Sequence, residues 1–329
     1  MMNNHGVQQK AGCQNDIQLL TSQQLQNEFP WLNVNDVLLG SLGRSGEGWF
    51  DPWPYLRGLK QKCLELGVTY LHGKPVGATR DIVTGSISSV DLQLLGNHKK
   101  TLSTNNIQRR NVQFVVNAAG AHSGTLMNLL ASSSSGTLLH SLPVVPRKRC
   151  IFFFHCSSSD GAIVPYDAPL TICPTTNVYF RSDGPPGSAH FLCGVSPTPE
   201  HDIDSYNEDD LNRVDYHLFD DIIWPALYHL VPAFGTIKVK SSWAGYYEYN
   251  VVDQNGIIDF HPDMGNVLMV CGFTGHGLQH SPAAGRAAAE LLEFGQGQFQ
   301  TLDLSILGFD RLIEKDGRNG TNIFEQGIV

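Results

Sequence analysis

The residues best placed for chemistry lie in one stretch, GFTGHGLQHSPAAGRAAAELL, which begins at Gly272. Residues 266–271 before it form an apolar run of strand length, and Gly272, Gly275 and Gly277 break that run into a turn needing glycine backbone. A helix is predicted next, with Ser281 as its cap, Pro282 in its first position and Ala284, Ala287, Ala288, Leu291 and Leu292 on a face for burial. A helix start presents free N–H groups and partial positive charge, which suits a phosphate or an anionic ring. His276, set between two glycines in this turn, is the candidate for chemistry. His276 and His280 have the i, i+4 spacing of metal ligands, but the glycines and Pro282 interrupt a helix through both, and no third ligand stands out. The plainer alternative is an ordinary strand–turn–helix crossover.

A second junction carries similar features. Residues 112–117 read as a buried strand running into Ala118, Ala119, Gly120 and Ala121, then a helical stretch to Leu130. Small residues there let another backbone approach closely, although they are common at any tight junction. Within KVKSSWAGYYEY (238–249) the aromatic residues line a pocket or simply pack.

GFTGHGLQHSPAAGRAAAELL and VVNAAGAHS together resemble the flavin motifs of FAD-dependent oxidoreductases of the D-amino-acid oxidase and sarcosine oxidase type. The resemblance implies an α/β fold, a glutathione-reductase-like FAD-binding domain interleaved with an antiparallel-sheet substrate domain. It implies FAD at Ala118, Ala119, Gly120 and Ala121 and at Gly272, Phe273, Thr274, Gly275, His276, Gly277 and Leu278, with His276 and Tyr247 as catalytic candidates. The second turn is expected to face the pyrimidine edge of the flavin, which becomes anionic on reduction. The implied activity is oxidation of a C–N or C–O bond of a small amine or hydroxy substrate. Within the family, the order of GEGWFDPW, PVVPRKR, WAGYYEYNVVDQNG and GFTGHGLQ is similar to a mitochondrial branch associated with assembly of respiratory complex I. Complex I subunits or assembly intermediates are therefore the implied partners, and the mitochondrion the implied location.

Three departures shape these expectations. No G-x-G-x-x-G occurs in the 329 residues, so the first βαβ unit with its pyrophosphate turn is expected to be missing, and FAD binding by this chain to be poor. No cysteine lies in residues 241–252, where related enzymes attach the flavin, so the cofactor is expected to be non-covalent. Gln279 stands where amine oxidases of this type use a basic residue for the substrate carboxylate, which argues against an amino-acid substrate.

Composition agrees with a globular chain: 41% of residues are hydrophobic and 16% charged. A net charge of -9 disfavours nucleic acid or an anionic membrane as partner, and no apolar run reaches spanning length. The seven cysteines lack a C-x-x-C pair, which suggests a reducing compartment and no metal or disulfide framework. Residues 1–18, polar with Lys10 the only Lys or Arg, resemble neither a presequence nor a signal peptide and are expected to be a disordered tail.

The elements that must position the turns follow from local signals. A short helix is predicted over 21–28, and another after Asp51 and Pro52 with Leu56, Leu59, Cys63, Leu64 and Leu66 on its apolar side and Gly67 ending it. A strand is predicted at 68–71, antiparallel strands over 74–111 with His98, Lys99 and Lys100 in a solvated turn, and a low-complexity loop at 132–135. Arg147, Lys148 and Arg149 are read as turn charges ahead of the IFFF strand, and 208–230 as one amphipathic helix. Portions 19–73, 112–142 and 253–315 are assigned to the FAD-binding domain, 74–111 to a strand excursion, 143–252 to a substrate or interaction domain, and 316–329 to a C-terminal tail.

Overall fold

The computed structural model describes residues 2–95, 107–132, 138–156, 163–173, 175–198, 202 and 208–313. His98, Lys99, Lys100, residues 133–135 and the 316–329 tail lie outside the described residues. The chain divides into two compact units: residues 1–70, 151–195 and 215–242 form one, and 71–150, 196–214 and 243–329 the other. Residues 19–70, expected with 112–142 and 253–315, group instead with the first unit. Their ties there include the Asn33 amide N–H donating to the Leu230 carbonyl at 2.7 Å and the Trp31 ring set edge-on to Phe180.

In the first unit the chain opens with α1 (Met2–Lys10), a helix where the polar composition suggests disordered chain. Strand β1 (Ile17–Thr21) and helix α2 (Ser22–Glu28) follow, and β1 pairs antiparallel with β2 (Leu39–Gly43). Helix α2 starts with a reciprocal cap: the Thr21 hydroxyl accepts from the Gln24 amide, and the Gln24 side chain accepts from the Thr21 amide. Helix α3 (Pro52–Glu65) starts as predicted, with the Asp51 carboxylate accepting from the Trp53 amide at 2.9 Å. Its apolar side, however, is not covered: no residue of α3 is buried, and Leu56 and Leu59 are half-exposed. Residues 68–72 join no described strand, so the strand predicted at 68–71 is absent; an extended segment without a ladder partner has nothing to hold it as sheet.

Strands β3 (Gly73–Arg80), β4 (Ile87–Leu94) and β5 (Ile107–Asn111) form the expected antiparallel excursion in the second unit. Next come β6 (Val115–Asn117), a tight turn at Gly120–His122 and α4 (Ser123–Ser132). Strand β7 (Val144–His155) carries the chain into the first unit, which adds β8 (Thr171–Ile172), β9 (Val178–Asp183) and β10 (His190–Val195). The helix expected over 208–230 is broken into a short turn at Glu208–Asn212, a wide turn at Leu218–Ile223 and α5 (Trp224–Leu230). Pro225 explains the wide turn, since it has no N–H for the carbonyl four residues back and its ring pushes that carbonyl away.

Strand β11 (Lys238–Asn250) returns to the second unit, followed by β12 (Ile257–His261), β13 (Met264–Cys271), α6 (Gly277–Phe294) and α7 (Asp310–Ile313). The larger sheet runs β11-β7-β10-β9-β8, and β12-β13-β6 form a smaller one in which β13 and β6 are parallel. In the first unit Phe154, Phe180 and Phe191 surround Phe234, with ring centroids 5.0 to 5.1 Å from it. In the second unit β13 is buried on both faces, Val267 and Met269 packing with Met127 and Leu130, and Leu268 with Ala284, Ala287 and Leu291 of α6. Among the described residues no helix is long and apolar enough to cross a membrane.

Candidate functional site

The two predicted junctions meet at one sheet edge within the second unit. Parallel pairing of Val267 with Val115 and of Met269 with Asn117 sets the C-terminal ends of β13 and β6 side by side, so both following turns open from the same edge. Gly272 and Gly275 adopt φ of 78° and 90°, and a Cβ on Gly272 would stand 3.0 Å from Val144 Cγ2. Thr274, between them, holds φ at 48° although it is not glycine. It is fully buried and tied down: its amide donates to the Glu248 carbonyl at 2.9 Å, its hydroxyl donates to the Gly272 carbonyl, and the Asn250 amide donates to that hydroxyl at 3.1 Å.

Helix α6 begins at Gly277, earlier than predicted. Ser281 is not its cap and Pro282 lies inside it rather than at its first position. Proline leaves the Leu278 carbonyl without its usual amide donor, and the Ser281 hydroxyl donates to that carbonyl at 2.8 Å. The N-cap is His276, whose side chain makes no capping hydrogen bond to the first-turn N–H groups. The interruption expected between His276 and His280 is also absent. The His280 amide donates to the His276 carbonyl and the two rings stand 6.1 Å apart. Among the described residues no group of three or more His, Cys, Asp or Glu side chains converges on a metal position.

The residues of the turn differ in what they present. Phe273 is buried against Gly256, where a Cβ would lie 2.3 Å from the ring, so Phe273 and Thr274 offer backbone rather than side chain. Gly275 and Leu278 are exposed, and His276 and Gly277 half-buried. At the other junction Asn117 is fully buried, donating to the Ser123 carbonyl at 3.0 Å while its carbonyl oxygen accepts from the Ala119 amide. This side chain pins 118–121 in place. Gly120 has φ of 56° and open space where a Cβ would be; Ala118 is exposed, and Ala119 and Ala121 are half-buried. Bare backbone facing space at 120, with an uncapped helix start at 277, fits the ring-side portion of FAD. Residues 118–121 and 272–278 contain no G-x-G-x-x-G.

Side chains alternate along β11, with Glu248 and Asn250 on one face and Tyr247 and Tyr249 on the other. Glu248 and Asn250 face the turn: a Cβ on Gly277 would lie 3.3 Å from Glu248 Oε1, and one on Gly272 would lie 3.5 Å from Asn250 Cβ. Burial pushes the Glu248 carboxyl upward, with the N–H groups of Gly272 and Phe273 pulling the other way. Burial likewise raises the neighbouring Cys271 thiol to about 12, consistent with a core cysteine.

Tyr247 and Tyr249 stand on the other face. The Arg149 guanidinium lies over the Tyr247 ring, 4.6 Å from its centroid, and donates to its hydroxyl, while Arg147 lies 3.9 Å over Tyr249. Both arginines bond Asp202 at 2.6 Å. Arg147 and Arg149 are thus nearly buried strand residues of β7 rather than the solvated turn charges predicted. Burial raises the Tyr247 hydroxyl to about 12, with Arg149 acting against that rise. The two catalytic candidates are therefore not brought together: His276 sits in the turn and Tyr247 on the reverse of the strand that faces it. Glu248, Asn117 and Asn250, which shape the site, had no motif to mark them, and only alternation along 238–249 hinted at the sorting.

The 251–256 turn is anchored in turn. Asn250 donates to Asp253 at 2.9 Å and to the Asn255 carbonyl, and buried Asp253 pairs with Arg311 at 2.7 Å. Arg311 also donates to the carbonyls of Asn255, Gly256 and Gly308.

Comparison with known proteins bears on the family and the fold. A profile described as FAD dependent oxidoreductase matches residues 2–291. The FAD-dependent oxidoreductase domain-containing protein 1 of Xenopus laevis is 40% identical over 319 residues, covering 94% of this chain and 61% of that protein. The chain thus spans about three-fifths of that relative's length. Among solved structures, L-proline dehydrogenase from P. horikoshii is similar at a TM-score of 0.61 and 22% identity, covering 91% of this chain and 69% of that one. The L-alpha-glycerophosphate oxidase of Mycoplasma pneumoniae, solved with FAD bound, gives a TM-score of 0.57 at 17% identity, with 88% and 67% covered. These likenesses bear on the fold, a mixed α/β architecture consistent with an FAD-binding domain plus a sheet domain. The profile match over residues 2–291 shows that the chain belongs to the FAD dependent oxidoreductase family.

Proposed function

We propose that this chain supplies the ring-facing side of a non-covalent FAD site in an oxidoreductase acting on the C–N or C–O bond of a small amine or hydroxy compound. The observation that carries the reading is the uncapped start of α6 at a turn with three positive-φ positions within four residues, Gly272, Thr274 and Gly275. When bound there, FAD would supply the acceptor for the substrate's hydride. The chain's own part is to hold the pyrimidine edge: N–H groups at the α6 start orient it and favour its anionic form, and residues 118–121 admit the cofactor closely. His276, half-buried at the cap, is the side chain nearest in sequence to these donors. Non-covalent attachment follows from the absence of cysteine in 241–252, and exposed Gln279 disfavours a substrate recognised through a carboxylate. The test is anaerobic mixing of the flavin-loaded protein with amines and hydroxy compounds. Loss of the oxidised flavin's visible absorption on adding one of these supports the reading, and a spectrum indifferent to all of them contradicts it.

A second reading is a flavoprotein-fold scaffold in mitochondrial assembly of respiratory complex I. It is favoured by the uncovered side of α3, where Trp53, Leu56 and Leu59 are exposed, a surface suited to another protein. Loss of assembled complex I on deletion of the gene, restored by a variant unable to bleach flavin, would favour the scaffold over the enzyme.

A further inference from the structure

Glu248 meets the 272–277 turn with both its main chain and its side chain. Its carbonyl accepts the Thr274 amide at 2.9 Å, which holds Thr274 at a φ that a threonine rarely adopts. Its carboxyl lies close enough to the N–H groups of Gly272 and Phe273 for them to lower its pKa against burial, and it reaches the start of α6, where Oε1 would lie 3.3 Å from a Cβ on Gly277. Two residues along β11, the Asn250 amide completes the clamp through the Thr274 hydroxyl. Removing the Glu248 carboxyl would take away the acceptor nearest to the buried Gly272 and Phe273 N–H groups, while the main-chain hold on Thr274 would stay in place.

We infer that Glu248 is the positioning residue of this site: by occupying the Gly272 and Phe273 N–H groups it fixes the turn, and it leaves the α6 first-turn N–H groups as the donors that face a flavin ring. The inference rests on the flavin reading above and deepens it by dividing the donors of the turn between a structural and a ligand-facing set. Burial moves the carboxyl toward its neutral form, the direction that spares an anionic ring edge a carboxylate neighbour. Glu248 differs here from Tyr247, whose side chain is committed to Arg149 on the opposite face.

Hydrogen exchange of the turn amides, followed without flavin in the whole chain, tests the clamp. Glu248→Ala is expected to speed exchange at Gly272 and Phe273 by about tenfold or more while the 284–294 part of α6 is unchanged. Glu248→Gln keeps an oxygen acceptor of the same reach and is expected to restore most of the protection. A riboflavin titration on the same three proteins should then show binding weakened in Glu248→Ala and retained in Glu248→Gln. Equal exchange in all three proteins, or Gln behaving as Ala, would overturn the inference. If Glu248→Ala does not fold, the wild-type amides decide: Gly272 and Phe273 must exchange far more slowly than exposed Gly275, and equal rates overturn it. Exchange changing as expected while the wild-type protein ignores riboflavin would instead overturn the flavin reading, and with it the clamp's role toward a ring.

Discussion

Tyr247 and Glu248 are adjacent in sequence and opposed in space, which separates their consequences. The Tyr247 hydroxyl accepts from Arg149 inside a nearly buried network, so Tyr247→Phe should lower stability by roughly 1–3 kcal/mol in chemical denaturation, the usual cost of stranding a buried charged donor. The same variant should leave exchange at Gly272 and Phe273 unchanged, because it does not touch the turn. A larger effect belongs to Arg311. Removing it in Arg311→Met leaves Asp253, 2% exposed, without its cation and the carbonyls of Asn255 and Gly256 without their donor. Losing one partner of such a pair costs about 3–5 kcal/mol, and a midpoint shift of less than a third of that would show the ion pair to be incidental. Residue roles were legible where glycine or proline announced backbone geometry, as at Gly272 and Pro52. They were not legible where a polar side chain works by burial: nothing about the letters at Asn117, Asn250 or Glu248 marks them before the strands are placed.

Elements with local signals were readable from the sequence, and elements decided by distant contacts were not. The Thr21 cap, the Asp51–Pro52 start of α3, the antiparallel excursion and the passage from β13 into a helix all follow from neighbouring residues. Pro282 misled because proline usually marks the first turn, whereas here it sits inside α6 with Ser281 covering the carbonyl it strands. The 208–230 segment has helical spacing but is divided, with a wide turn leading into Pro225. Helix α6 also carries a pH-sensitive anchor. Glu290 accepts from the Thr301 hydroxyl, the amides of Gln300 and Thr301, and Arg286 Nε, which hold its carboxyl down to about 2. Its folded pKa lies below the ordinary value of about 4.3, so the stability it contributes is present above that value and is lost as pH falls through the folded one. Thermal melts taken downward from neutral pH should therefore fall more steeply below pH ~4.5 in wild type than in Glu290→Gln. Parallel slopes would mean that the 299–301 segment is held by something else.

At the scale of the molecule, the family and the α/β-plus-sheet architecture were legible because two flavin-like motifs occur in order along one chain. The grouping of segments was not, since residues 19–70 join 151–195 and 215–242 through contacts such as Asn33 to Leu230 that span most of the sequence. What the second unit does contain is a pair of junctions brought to one sheet edge, with donors at the α6 start, open backbone at Gly120 and no G-x-G-x-x-G in its sequence. On the proposed reading, residues 118–121 and 272–278 would hold the ring of FAD and not its phosphates. Parallel titrations of the 329-residue chain with FAD and with riboflavin, which has the ring but no phosphate, test it directly. Weak binding of both is expected, with dissociation constants within about tenfold of each other. FAD binding far more tightly than riboflavin, or neither binding at all, would contradict it.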